Sequence, residues 1–194
     1  MTAGDGLGAD DAALRGRLLV ARPSLREPTF HRTVILLLDH SESGAVGIVL
    51  NRPTTVDVGV VLPDWHPHAS DPPVLFQGGP VGLDGAMGVV ALPRGAALPP
   101  EVDRVTGRFG LVDLDAPPES VVPHVGGVRV FAGYAGWGDG QLEAELTEGS
   151  WFVVDAVPDD VLTAEPDGLW RRVLRRQGGD LAIVSTFAED ASLN

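Results

Sequence analysis

"VFAGYAGWGDGQLEAEL", Val130 to Leu146, runs from a β-like segment through four glycines into an acidic, helix-like segment. It is a phosphate-cradling loop, an acid/base site or a tight strand-to-helix joint. The dinucleotide fingerprint needs G-x-G-x-x-G directly after a strand. Counted from Gly136 the third position is Gln141, and counted from Gly138 it is Glu143, so neither register completes the motif. A phosphate at this helix start would also meet Asp139, Glu143 and Glu145, whose charges already occupy the favourable end of the helix dipole. The joint reading accounts for more. Asp139 is placed to cap the helix, Gly138 and Gly140 to take the turn, Leu142 and Leu146 to face a core four residues apart, and Gly149 to end it. Tyr134, Trp137 and Gln141 stay clustered around the joint, able to line a pocket with Glu143.

Composition narrows the chemistry. The 194 residues fit one domain, and 27 acids stand against 14 bases, all arginine. Without lysine there is neither a P-loop lysine nor a Schiff-base amine, and without cysteine there is neither a disulfide nor a thiolate site. A net charge of −13 opposes binding to a polyanion. Residues 98–194 contribute −10 of it, whereas residues 15–52 carry six arginines against three acids, so that any anion site belongs there. The N-terminus has no signal-peptide pattern and no apolar run approaches membrane-spanning length, from which a cytoplasmic location is expected.

Working outward, residues 1–15 and 188–194 read as mobile tails around one domain at 16–187. "GRLLVARPS" and "TVILLLDH" read as strands, and "SESG" turns the second into "GAVGIVLNRP", an antiparallel hairpin stopped at Pro53. In "TTVDVGVVLPDW", Val56, Val60 and Val61 behind Thr54 or Thr55 suggest a short helix. "PPVLFQGGP" and "GAMGVVALP" resemble a strand pair, and 93–126 is mostly loop or edge structure. "GGVRVFAGYAGW" and "WFVVDAV" are further strands, "DDVLT" is one helical turn, and "LWRRVLRRQGG" is a helix stopped by glycine. Strands dominate, giving an α+β domain with a mixed, largely antiparallel sheet and a few short helices.

Other motifs carry little chemistry. His66 and His68 flank Pro67, which suggests an extended loop rather than a metal pair. Ser24 has no nucleophile elbow, and Asp39 and His40 are adjacent on a strand and face opposite ways, so no serine triad forms. Arg171, Arg172, Arg175 and Arg176 lie at helical spacing as a solvated cationic face near a helix C-terminus. No metal or cofactor is expected.

"LLVARPSLREPTFHRTVILLLDHSESGAVGIVLNRP", then "FQGGPV", then "GYAGWGDGQLEAEL" and "WFVVDA" together resemble the bacterial YqgE/AlgH family, in order and spacing, over about residues 16–187. The signature falls on Pro23, Phe30, Arg32, His40, Gly44, Asn51, Pro53, Gly78, Gly79, Pro80, Gly133, Tyr134, Trp137, Gly140, Gln141, Leu142 and Glu143, with Arg52 between Asn51 and Pro53. The resemblance implies a sheet curled toward a barrel, no established catalysis, and a family label of transcriptional regulation without a DNA-binding motif. On this basis the expected function is a non-catalytic regulatory or adaptor protein binding a protein partner or small ligand through His40, Asn51, Arg52, Tyr134, Trp137, Gln141 and Glu143. Two alternatives accompany it. One is a metal-independent hydrolase or transferase with His40 or Glu143 as base and Arg32 or Arg52 holding an anion. The other is a transcriptional regulator, although direct nucleic-acid binding is disfavoured by charge. Convergence of His40, Arg52, Gln141 and Glu143 in one cleft would favour the enzyme or a ligand site, and their dispersal would favour the adaptor.

Overall fold

The computed structural model describes residues 14–189, so most of both expected tails lies outside the described residues. Ten strands are present among them: β1 Arg17–Ala21, β2 Val34–Ser41, β3 Gly44–Val49, β4 Pro53–Asp57, β5 Val74–Gln77, β6 Val81–Ala91, β7 Val102–Arg104, β8 Phe109–Val112, β9 Gly127–Trp137 and β10 Trp151–Asp155. Their order is β10-β1-β2-β3-β9-β6-β8-β7, with β5 joined to β4 and, in parallel, to β9. The sheet is therefore mixed but largely antiparallel, and it curls into a half-barrel. Short helices decorate it: α1 Val58–Val61, α2 Pro118–Val121, α3 Gln141–Glu148, α4 Pro158–Leu162, α5 Leu169–Gln177 and α6 Gly179–Val184.

The continuous apolar run of β2 follows from burial on both faces. Val34, Leu36 and Leu38 enter a main core with Phe76, Phe131, Trp170 and Leu174, while Ile35 and Leu37 enter a second core with Trp137, Leu142 and Trp151 beneath α3. A third core lies under the 58–69 and 118–125 segments, filled by Val90, Val128, Val130 and Trp65.

A bulge in β2 and a left-handed glycine in β9 set which side chains reach which face. Register passes from Leu37 opposite Gly47 to Asp39 opposite Val46 and His40 opposite Ala45, leaving Leu38 as an extra residue. Strict alternation would send His40 to the face of Leu36 and Leu38; the bulge aligns it instead with Ala45, beneath α3. In β9 the switch is at Gly133, φ 72°. Phe131 lies in the main core and Tyr134 packs against that same core, whereas Ala135 and Trp137 enter the core beneath α3.

Beyond Ala135, β3 and β9 diverge, and the chain after β5 fills the gap. Gly78 accepts from Val49 N–H at 2.7 Å and donates to Ala132 O at 2.8 Å. The fit excludes side chains. A Cβ on Gly79 would lie 2.1 Å from the Tyr134 carbonyl, and one on Gly78 would lie 2.4 Å from Gly133 O.

Several expectations are corrected. Residues 53–57 are a strand hydrogen-bonded to β5, and the helix begins only at Val58, where Asp57 rather than a threonine caps it by accepting from Gly59 N–H at 2.7 Å. Spacing of valines reported the helix but not the pairing that captures its start. β5 and β6 do not pair with each other; β9 separates them, taking β5 on one side and β6 on the other. Asp139 does not cap α3. Gly140 holds that position in a left-handed conformation, and the Gln141 carboxamide accepts from Gly138 N–H at 3.0 Å. His66–His68 is a 3-10 turn, because proline is compatible with an early helical position, and His66 Nδ1 lies 2.8 Å from Asp57 Oδ1.

Arg129 ties loops to the sheet from inside. Its fully buried side chain stacks on Phe76 and donates to the carbonyls of Val161 at 2.9 Å, Thr163 at 2.8 Å, and Asp71. Burial lowers its pKa to about 10, with Asp71 opposing the shift, so it stays charged at neutral pH.

Replacing Gly79 by alanine should lower stability by at least about 2 kcal/mol, because the obstructing atoms are backbone. Urea unfolding checks this; a midpoint equal to wild type would mean that the crossing is looser than described.

Candidate functional site

α3 forms because Leu142 and Leu146 bury one side, and Gly149, at φ 79°, ends it with its N–H on Leu146 O at 3.1 Å. Two of its polar residues, Glu143 and Glu145, bond to side chains of the sheet as well. Glu145 accepts from the Trp137 indole at 2.9 Å, the Trp151 indole at 2.8 Å and the Gln141 carboxamide at 3.1 Å. The two indoles meet edge to face at 6.2 Å, and Phe30 packs on Trp151 at 5.9 Å. The sequence reading missed Glu145, although Gln141 and Glu145 stand at helical i, i+4 spacing between the two tryptophans.

His40 approaches from below, its Nε2 2.6 Å from Glu143 Oε1, with the histidine side chain buried and the glutamate about half exposed. Glu143 is held below the ordinary glutamate range chiefly by its own backbone N–H and then by His40, with burial opposing. His40, Trp137, Gln141 and Glu143 are thus brought together around α3.

Asn51 and Arg52 are not part of that group. Asn51 is buried just past β3, where its Oδ1 accepts from Val34 N–H at 3.0 Å and its Nδ2 donates to Arg32 O at 2.9 Å. Arg52 donates to His31 O. Val34 and His40 are six residues apart along β2, roughly 20 Å at about 3.3 Å per residue, so the two groups occupy opposite ends of the hairpin. Tyr134 joins neither; its ring packs against the main core and next to Gly82.

The arginines of α5 are mostly committed within the chain. Arg176 grips buried Asp160 through both carboxylate oxygens, at 2.7 and 2.9 Å, while Arg171 donates to Ser185 O and Arg172 to Thr163 Oγ1. Among the described residues no group of three or more His, Cys, Asp or Glu is placed to hold a metal, and no helix is long and apolar enough to cross a membrane.

Residues 18–182 match the family model described as DUF179, AlgH-like. A UPF0301 protein of Streptomyces coelicolor is 59% identical over 186 residues, spanning 94% of this chain and 96% of the relative. A UPF0301 protein of Thermobifida fusca is 46% identical, spanning 95% and 98%. Among solved structures, a crystal structure of a Corynebacterium diphtheriae protein has a TM-score of 0.85 at 36% identity, covering 96% of this chain and 95% of that one. The solution structure of the AlgH protein from Pseudomonas aeruginosa has a TM-score of 0.68 at 27% identity, covering 98% and 100%.

Two outcomes follow for α3. Glu145→Leu leaves two indole N–H groups unpaired and should cost about 2–4 kcal/mol, whereas Glu145→Gln, which keeps one acceptor, should cost less than half as much; chemical denaturation compares the two. Because Glu143 is depressed in the folded state, its contribution is present above the ordinary value of 4.5 and disappears as pH falls through its lower folded value. Glu143→Gln should therefore be less stable than wild type near neutrality and indistinguishable from it below the carboxylate range, as measured by unfolding at both pH values.

Proposed function

The chain belongs to the AlgH-like family, and from that premise we propose that it is a cytoplasmic, non-catalytic regulatory or adaptor protein that engages a protein partner through the outward face of α3. The observation that carries this reading is the use made of the signature polar residues. His40, Trp137, Trp151 and Gln141 lock the inner side of α3 through Glu143 and Glu145, while Ala144, Thr147 and Glu148 remain exposed on its outer side. A helix fixed this firmly presents its surface without the ordering cost that a mobile segment would incur on binding. Exposed Glu148 and half-exposed Glu143, in a half of the chain carrying −10, suit a partner with a basic surface.

A hydrolase or transferase using His40 with Arg52 is less well supported. A general base must reach the group that it deprotonates; His40 is buried behind Glu143, and Arg52 lies at the far end of the hairpin. Reading of duplex DNA by α5 is also poorly served, since three of its four arginines bond within the chain.

Affinity capture from the native host's cytosol tests the proposal, using wild type beside an Ala144→Arg/Glu148→Arg variant of unchanged melting temperature. A protein retained by wild type and lost from the variant is the expected result. Equal capture by both, or turnover found in a substrate screen that His40→Ala abolishes, would contradict it.

A further inference from the structure

At the other end of the β2–β3 hairpin, a cavity of about 460 Å³ lies against the first turn of α5. Its wall carries three guanidinium groups, Arg32, Arg52 and Arg171, together with His31, and its rim includes Asp167 and Glu189. Among the described residues none of the three arginines forms an ion pair. Their hydrogen bonds go to main-chain carbonyls: Arg32 to Phe187 and Ala188, Arg52 to His31, and Arg171 to Ser185. The chain has 27 acids for 14 bases and pairs Arg176 with Asp160 through both oxygens. Three guanidinium groups thus face one cavity with no carboxylate among the described residues in ion-pair contact, although Asp167 and Glu189 stand at its rim.

Arg32 is the most constrained of the three. It is a non-glycine residue at φ 53°, a conformation unfavourable for a side-chain-bearing residue and concentrated at ligand sites. That turn sends its carbonyl to the Asn51 amide and lays its guanidinium over the Trp170 ring at 4.4 Å. Its Nε–H is buried and has no hydrogen-bond partner.

We propose that this cavity is a binding site for a small organic anion, with its carboxylate or phosphate held by Arg32, Arg52 and Arg171 and its hydroxyl or amino donors directed to Asp167 and Glu189. Guanidinium forks match the oxygens of either anion in paired, charge-assisted bonds. The volume falls within the roughly 300–1,000 Å³ of metabolite pockets. The two rim carboxylates favour a ligand that is anionic at one end and donor-rich at the other. Burial, and then repulsion from Arg171, lowers the Arg32 pKa against the pull of Glu189, and burial lowers that of Arg52 against the pull of Asp167; an anion between the guanidinium groups would offset the lowering at both. The site shares no side chain with α3, so it stands or falls apart from the partner reading.

The test is a two-dimensional NMR titration with inorganic phosphate and, separately, acetate, beside sodium chloride at matched ionic strength. Saturable shifts are expected in the backbone amides of residues 31–33, 51–52 and 167–171 and in the arginine Nε–H signals, with phosphate, acetate or both, and not with chloride. Saturation by phosphate alone assigns a phosphate ester, and saturation by acetate alone assigns a carboxylate. Arg52→Gln and Arg171→Gln should each weaken binding at least about tenfold, while Arg175→Gln, outside the cavity, leaves it unchanged. If Arg52→Gln does not fold, Arg171→Gln carries the comparison. Shifts that chloride reproduces, that never saturate, or that persist undiminished in a folded Arg52→Gln or Arg171→Gln protein would overturn the proposal.

Discussion

The passage of β9 past Gly133 is the constraint on which the other elements depend. Before that glycine β9 pairs with β6 and, in parallel, with β5; after it β9 keeps a β6 partner only at Tyr134, pairs with β3 and delivers Trp137 to the core under α3. One left-handed residue changes the face that the strand presents, and Gly78 and Gly79 close the gap that the change opens. A side chain at any of these three positions would collide with backbone, which cannot move aside as a flexible side chain can. The glycine-rich signature is thus a packing solution for a strand serving two halves of a curled sheet.

The same geometry separates the polar signature residues. His40 sits near the turn of the β2–β3 hairpin and is re-aimed under α3 by the bulge at Leu38, while Asn51 and Arg52 sit at its open end. Around α3 the polar groups are spent on fixing a helix: two indoles and a carboxamide on Glu145, and a histidine on Glu143. At the open end the asparagine fixes backbone, while the arginines bond to main-chain carbonyls and have no carboxylate among the described residues in ion-pair contact. One group is built as a rigid surface, the other as a polar recess.

Much of this was legible in the sequence because local signals agreed with the long-range outcome. The β2–β3 hairpin, β9, α3 with its buried leucines, and α5 stopped at Gly178 all follow from periodicity and glycine punctuation. What was not legible came from contacts distant in sequence. Nothing near Pro53 announces that β5 will capture residues 53–57, and nothing in two adjacent strand-like segments says that β9 will separate β5 from β6. The segregation of the candidate residues was implicit in the hairpin itself: a turn at 42–43 places His40 opposite Ala45 and leaves Asn51 beside Val34. Glu145 escaped notice because an acid on an acidic helix looks solvated until two tryptophans from flanking strands are known to point at it.

The central claim, that the polar signature divides into two independent sites, is tested most directly by a double-mutant cycle on stability between His40→Ala and Arg52→Gln. Separate sites predict that the two effects add to within about 0.5 kcal/mol. A coupling energy above about 1 kcal/mol would place both residues in one network and contradict the account.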